Sequence, residues 1–166
     1  MDKIVKKYQD FLSVQDLLFT EAALIDSWQL DAWLELYTED AGYYVPPTDV
    51  AEDATPENTL FYIADDRFRL NERVIRLNKK GCHSEFPRSR VRHLVSNVRI
   101  LGEEDGVLSV DAAFIVFRSK DGVTDTFMGH YDYRLRRDGE SFKIASKKCY
   151  LDMDGLRPHG RISIIL

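Results

Sequence analysis

Apolar residues recur at helical spacing in the first third of the chain, at Leu17, Leu18, Ala22, Leu24, Ile25 and Trp28. One face of a helix there is predicted to be core. Ser13 followed by Asp16 resembles a capping box with Asp in place of Glu, which would start that helix. A second short helix, about 31–36, offers Trp33, Leu34 and Leu36, and Tyr43-Tyr44-Val45 then reads as a short strand ended by Pro46-Pro47. The stretch 48–59 is acidic and poor in apolar residues, so it is predicted as a surface loop. Order restarts at Phe61-Tyr62-Ile63. Asp65 or Asp66 can cap a third helix running to about Lys79, with Leu70, Val74 and Leu77 as its buried stripe and Gly81 as its stop.

From Val91 onward the period changes to two. Asp105-Gly106, Asp121-Gly122 and Asp138-Gly139 separate β-rich runs, and Asp-Gly is a strong hairpin signal because such turns need positive φ. Four long strands are predicted as a meander, about 91–102, 107–119, 124–137 and 141–153. In the second, Leu108, Val110, Ala112, Phe114 and Val116 share one face. Strands this long twist, so the sheet should curl around the N-terminal helices. The expected fold is α+β: an open cone with a strongly curved antiparallel sheet wrapped around N-terminal helices, built as one domain over 1–166.

Composition narrows the class. With 44% hydrophobic and 31% charged residues the chain should bury a real core. No apolar run approaches the roughly 20 residues of a bilayer span, and the first residues lack a signal-peptide pattern, so a cytoplasmic protein without membrane contact is expected. Cys82 and Cys149 are then read as free thiols. Residues 1–66 carry a net charge of about −12 and residues 67–166 about +7, giving −5 for the whole chain. Such polarity suits protein docking or internal neutralisation better than nucleic-acid binding. The basic stripe Arg69, Arg73, Arg76 and Lys80 is read accordingly as a solvated helix face.

Candidate chemistry is sparse. His130-Tyr131-Asp132 places two metal-ligand types on one strand face, and His159 could complete a two-histidine, one-carboxylate triad. Arg134 lies on that same face, so a salt-linked row of His130, Asp132 and Arg134 is the simpler reading. Cys82-His83 is a lone pair and Cys149 stands alone, which excludes a zinc or iron–sulfur cluster built from paired ligands. Tyr37, Asp40, Tyr43 and Tyr44 could form the mouth of a pocket in which a buried Asp is the general base of an isomerase or dehydratase. The alternative is a Tyr-rich core edge with its acids in water. In the segment 88–99, alternation puts Arg90, Arg92 and Val98 on one face and Val91, His93, Val95, Asn97 and Arg99 on the other. Arginine and histidine in a half-buried strand need partners, from the acids of the N-terminal half or from another polypeptide.

This segment also carries a family resemblance. Ala64-Asp65-Asp66-Arg67 with Leu70, Arg73, Val74 and Arg76-Leu77, then Pro87-Arg88-Ser89-Arg90 and the run from Arg92 through His93 to Arg99, resembles the small (β) subunit of bacterial aromatic-ring-hydroxylating dioxygenases. Glu21-Ala22, Leu24-Ile25-Asp26, Trp33-Leu34, Leu36-Tyr37 and Tyr44-Val45-Pro46 are similar to that family's opening. Its ending is matched by Met128-Gly129-His130-Tyr131, Leu135-Arg136-Arg137, Lys143-Ile144-Ala145, Leu151-Asp152 and the tail Ile162-Ser163-Ile164-Ile165. The resemblance implies the cone fold of ketosteroid isomerase and scytalone dehydratase. It also implies assembly, typically three and three, with a catalytic α subunit that holds a Rieske iron–sulfur cluster and a mononuclear iron. That enzyme adds dioxygen to an aromatic ring in aromatic compound catabolism, giving a cis-dihydrodiol, with electrons from NADH passing through a reductase and often a ferredoxin. This chain would hold no catalytic, cofactor or metal residue and be mainly structural. Arg69, Arg73, Arg76, Arg90, Arg92, His93 and Asn97 are the candidates for contacts with the α subunit or with other β copies.

Overall fold

The computed structural model describes residues 2–51, 53–81, 85–156 and 160–166. Helix α1 spans Lys3–Asp26 and α2 spans Leu30–Leu34; strand β1 is Tyr37–Val45 and β2 is Ile63–Asp66; helix α3 is Arg67–Asn78. Four long strands follow: β3 Arg90–Glu104, β4 Val107–Lys120, β5 Val123–Asp138 and β6 Ser141–Leu151. They form one six-stranded sheet in the order β2-β1-β6-β5-β4-β3, antiparallel except for the β1/β6 pair. Helix α1 crosses the concave face against β3 and β6, and α2 and α3 close the side near β1. The expected α+β cone is therefore the fold observed.

The Asp-Gly hairpins behave as their residues require. Asp105 and Gly106 both adopt positive φ (51° and 76°), as do Asp121 and Gly122 (53° and 77°), the pattern of a type I′ turn. In the third, Gly139 alone is positive at 63°, which fits a turn with glycine at its first central position. On β4 the predicted stripe of Leu108, Val110, Ala112, Phe114 and Val116 is buried throughout. Asp66 caps α3 by accepting the Arg69 backbone N–H at 2.9 Å.

Three expectations are corrected. Helix α1 starts ten residues before Ser13, at Lys3, where Asp2 accepts the Ile4 N–H. Ser13 lies mid-helix, its hydroxyl directed at the Glu140 carbonyl oxygen. The first turns escape a pattern reading because Ile4, Val5, Tyr8 and Leu12 are apolar yet exposed. Strand β1 begins at Tyr37 rather than Tyr43, and its pairing with β6 is irregular between Tyr37 and Gly42. The third correction concerns β3. Ser96 pairs with Ala113 and Arg99 with Asp111, so β3 carries one extra residue, and Asn97 takes φ 53° there. A one-residue slip exchanges the faces of the residues that follow it, here as far as a second extra residue between Ile100 and Gly102. Val91 and His93 point inward as predicted, but Asn97 and Arg99 emerge into solvent while Val98 and Ile100 turn toward the core.

Candidate functional site

The centre of the concave interior, where a cone fold would hold a ligand, is occupied among the described residues by side chains of the chain itself. Glu21 belongs to the buried stripe of α1 with Val14, Leu17, Leu18 and Ile25, so helical spacing drives a carboxylate into the core. Its Oε1 accepts hydrogen bonds from Trp33 Nε1 (3.1 Å), the Tyr37 hydroxyl (3.1 Å) and Lys147 Nζ (2.9 Å), and its Oε2 from the Tyr133 hydroxyl (2.7 Å). Lys147 also lies over the faces of Tyr131 and Tyr133, 4.3 and 5.6 Å from the ring centres. Lys147 is inward because β6 is irregular: Arg134 pairs with Ser146 and Leu135 with Ile144, so β6 has an extra residue between them. Burial raises the Glu21 pKa, but the Lys147 charge and the hydrogen bonds outweigh it, leaving the group below its ordinary value. The same burial holds the Tyr37 and Tyr133 hydroxyls well above their ordinary range, so they donate to Glu21 as neutral phenols.

The segment 162–166 completes the filling. Ile164, Ile165 and Leu166 are buried, and each end of this strap is tied by polar groups. Lys147 Nζ donates to the Leu166 oxygen at 2.7 Å, and the Leu166 N–H donates to the Tyr43 hydroxyl at 3.0 Å. Cys149, inward on β6 with its thiol pushed up to about 12 by burial, contacts the Leu166 oxygen as well. Ser163 donates to Glu85 Oε1 at 2.6 Å, and Glu85 also receives Arg118 Nε at 2.7 Å and the Ser89 hydroxyl. The space left between Trp28, Leu30, Val91 and the strap is about 10 Å³. That is no more than one water's worth of room.

His93 joins the strap to α1. Its side chain is 1% exposed, with Nδ1 at 2.6 Å from Asp26 Oδ1 and Nε2 at 3.1 Å from the Ile165 carbonyl oxygen. Its backbone N–H also donates to Asp26, at 3.0 Å. An acid of the N-terminal half is thus the partner that this histidine required. Arg73 is similarly engaged, forking onto Asp65 through Nε and Nη2 with side-chain exposures of 17% and 9%. The polar atoms of His93 and Arg73 are therefore committed within the subunit. Arg69, Arg76, Arg90, Arg92 and Asn97, the other predicted contact residues, lie on the surface. Arg92 is 74% exposed and reaches only to 3.9 Å from Asp26.

The other candidates take structural partners. His130 Nδ1 is 2.9 Å from Asp152 Oδ2 and its ring stacks on Tyr150, whereas Asp132 pairs with Arg134. His83, His159 and Cys82 lie outside the described residues. Among the described residues no three His, Cys, Asp or Glu side chains converge as metal ligands. Asp40 is not a buried base. It sits on an open surface hollow of about 570 Å³, forked by Arg136 at 2.9 and 3.1 Å. That guanidinium, with the Thr38 hydroxyl, lowers its carboxyl to about 2, and such a group takes up no proton near neutrality. Tyr37 and Tyr43 are inside the core and Tyr44 is half-buried against Phe61.

A cone of curved sheet and inner helices, its centre occupied among the described residues by an ion pair and a strap, is the frame of a cone-fold subunit. The structure resembles a cystatin-like, NTF2-like protein from Novosphingobium aromaticivorans with TM-score 0.64 at 17% identity, covering 93% of this chain and 88% of that one. It matches naphthalene 1,2-dioxygenase, solved with indole in its active site, with TM-score 0.80 at 19% identity, over 95% of this chain and 86% of that chain. In sequence, residues 20–157 match the model of the ring hydroxylating beta subunit. The chain is also 54% identical over 153 residues to the small oxygenase component of the p-cumate 2,3-dioxygenase system of Pseudomonas putida, covering 92% of this chain and 85% of that protein. The chain belongs to the ring-hydroxylating β-subunit family. It is the small subunit of an aromatic-ring-hydroxylating oxygenase component, and so part of an oxidoreductase.

Of the two residues at the centre of the cone, one is legible in the sequence and the other is not. Glu21 stands at a core position of a helical stripe, which is a visible signal. Lys147 carries none, because strict alternation from Phe142 and Ile144 would face it outward and only the bulge turns it in.

Proposed function

We propose that this chain is the non-catalytic, bracing member of a terminal oxygenase. It supports an α subunit that carries the Rieske cluster and the mononuclear iron, in an assembly of three α and three β chains. The reaction adds dioxygen to an aromatic ring and yields a cis-dihydrodiol. Electrons come from NADH through a reductase, with or without a ferredoxin, and reach the α subunit rather than this chain. The 54% identity supports a substrate of the p-cumate kind, an aromatic carboxylate. No helix among the described residues is long and apolar enough to cross a membrane, in keeping with work in the cytoplasm.

The observation that carries this reading is the occupied interior. Among the described residues the cone holds Glu21, Lys147 and the strap at its centre, and Asp40, the acid that could have served as a pocket base, is spent on Arg136. The test is reconstitution. The purified chain alone should leave p-cumate unchanged and retain no stoichiometric iron, whereas co-expression with the α subunit and addition of a reductase and NADH should give ring oxidation. Turnover by the lone chain would reject the proposal.

A further inference from the structure

His93 faces a hydrogen-bond acceptor through each of its ring nitrogens. Nδ1 lies 2.6 Å from Asp26 Oδ1 and Nε2 lies 3.1 Å from the Ile165 carbonyl oxygen, with the side chain buried. A carbonyl oxygen and a carboxylate only accept, whereas a neutral imidazole has one N–H and one lone pair. Both contacts are satisfied only when two protons are present, one on Nε2 and one between Nδ1 and Asp26. With a single proton, a buried lone pair would face an oxygen, the arrangement that burial penalises most.

The strap is the part of this arrangement that can yield. Among the described residues no backbone–backbone hydrogen bond joins 162–166 to the rest of the chain. Side chains hold it: Glu85 takes Ser163, His93 takes Ile165, and Lys147 and Tyr43 take Leu166. Asp26, by contrast, sits on α1 and accepts the His93 backbone N–H at 3.0 and 3.1 Å, so it stays beside the ring. When the ring loses its second proton, the one that remains is held on the charge-assisted Asp26 side, and the Nε2 lone pair is left against the Ile165 oxygen. The other groups around the ring do not replace that proton. Arg92, permanently charged like any arginine, comes no nearer to Asp26 than 3.9 Å. Tyr131 of β5 feels the Asp26 charge, but burial holds its hydroxyl well above its ordinary range, and β4 presents Val116 opposite His93.

We propose that His93 is a proton-operated clasp: with both ring nitrogens protonated it holds the 162–166 strap in the cone, and loss of one proton frees Ile165 and lets the strap lift. One proton passes to solvent at each opening. The closed form therefore binds one proton more than the open form, and it is favoured as pH falls and lost as pH rises. Histidine is the side chain whose charge changes between about pH 5 and 8, which sets the working range. Opening uncovers the Cys149 thiol, now against the Leu166 oxygen, and the apolar wall of Ile25, Trp28, Leu30, Leu77 and Val91. The sign is opposite to that of the buried Glu21 and Glu85 carboxylates, whose protonation loosens the chain in acid.

The test is imidazole and methyl NMR of the full chain from about pH 5 to 9, with circular dichroism as a check on folding. At the acid end His93 should show two ring N–H resonances. As pH rises one should disappear, and the methyl signals of Ile164 and Ile165 should move with the same midpoint. Cys82→Ser leaves Cys149 as the one thiol. In that background its labelling by a thiol reagent should rise by up to tenfold per pH unit more than in the same chain carrying Asp26→Asn. The Asn amide can donate to Nδ1 while its oxygen accepts the backbone N–H, so a neutral ring suffices and the strap should stay in place at every pH. His93→Gln keeps a donor for the Ile165 oxygen without titrating; it should also abolish the pH response, and it serves if Asp26→Asn does not fold. One ring N–H across the whole range, two across the whole range, or loss of one with the strap methyls unmoved each overturns the proposal. A strap that loosens as much in His93→Gln as in wild type also overturns it, because another group then carries the pH dependence.

Discussion

Lys147 Nζ lies 2.9 Å from Glu21 Oε1 in the centre of the cone, with side-chain exposures of 1% and 2%. Joining β6 to α1 through a fully buried charge pair, it fixes how the helix sits in the sheet. Removing one partner of such a pair leaves an uncompensated charge in a medium of low polarisability. Lys147→Met should therefore destabilise the chain by about 3–5 kcal/mol, as read from urea denaturation. Glu21→Gln combined with Lys147→Met should be less damaging than Lys147→Met alone, because no charge is then left inside.

The same pair sets an acid limit. The folded Glu21 carboxyl lies below its ordinary 4.5, so its contribution is fully present above about pH 4.5 and is lost as pH falls through the lower folded value. The Glu85 carboxyl is shifted the same way: burial raises it, and Ser163, Ser89 and Arg118 more than offset that. Wild-type stability should fall steeply below pH 4.5. The Glu21→Gln and Lys147→Met double variant should show a shallower decline over the same range, compared by urea midpoints.

Arg73 and Arg69 lie on one predicted stripe but should behave differently. Arg73 neutralises the buried Asp65. Arg73→Ala should lower stability by roughly 3 kcal/mol, whereas Arg69→Ala and Arg76→Ala should leave the melting curve of the isolated chain unchanged. Equal thermal shifts for all three would contradict the assignment.

Gly129 accounts for one position of the Met128-Gly129-His130-Tyr131 segment. A Cβ there would come within 1.8 Å of the Tyr150 carbonyl oxygen on the neighbouring strand. Gly129→Ala should therefore force β5 and β6 apart and lower both soluble yield and melting temperature. Asn97 presents the opposite case. Its positive φ suits Asn or Gly, so Asn97→Gly should be near neutral, while Asn97→Val should cost about 1–2 kcal/mol.

Asp40→Asn separates the subunit reading from a cone-fold isomerase. The carboxylate is exposed and ion-paired with Arg136, so the reconstituted oxygenase should keep its wild-type kcat/KM. A loss of a hundredfold or more, the scale of removing a general base, would make Asp40 catalytic.

Local rules written in the chain determined most of the frame. Positive φ at Asp105-Gly106, Asp121-Gly122 and Gly139 placed the hairpins, strict alternation gave β4 its dry face, and helical spacing gave α3 its buried stripe. The ordered set of motifs, from Glu21-Ala22 to the Ile162-Ser163-Ile164-Ile165 tail, pointed to the family. Tertiary structure alone decided the interior. An extra residue in β3 after Ser96 and another in β6 exchange inside for outside, sending Asn97 out and Lys147 in, and alternation along a sequence does not reveal where such a slip falls. The strap is equally invisible locally, because Leu166, Tyr43, Lys147 and His93 lie far apart in the chain and only the closure of the cone brings them together.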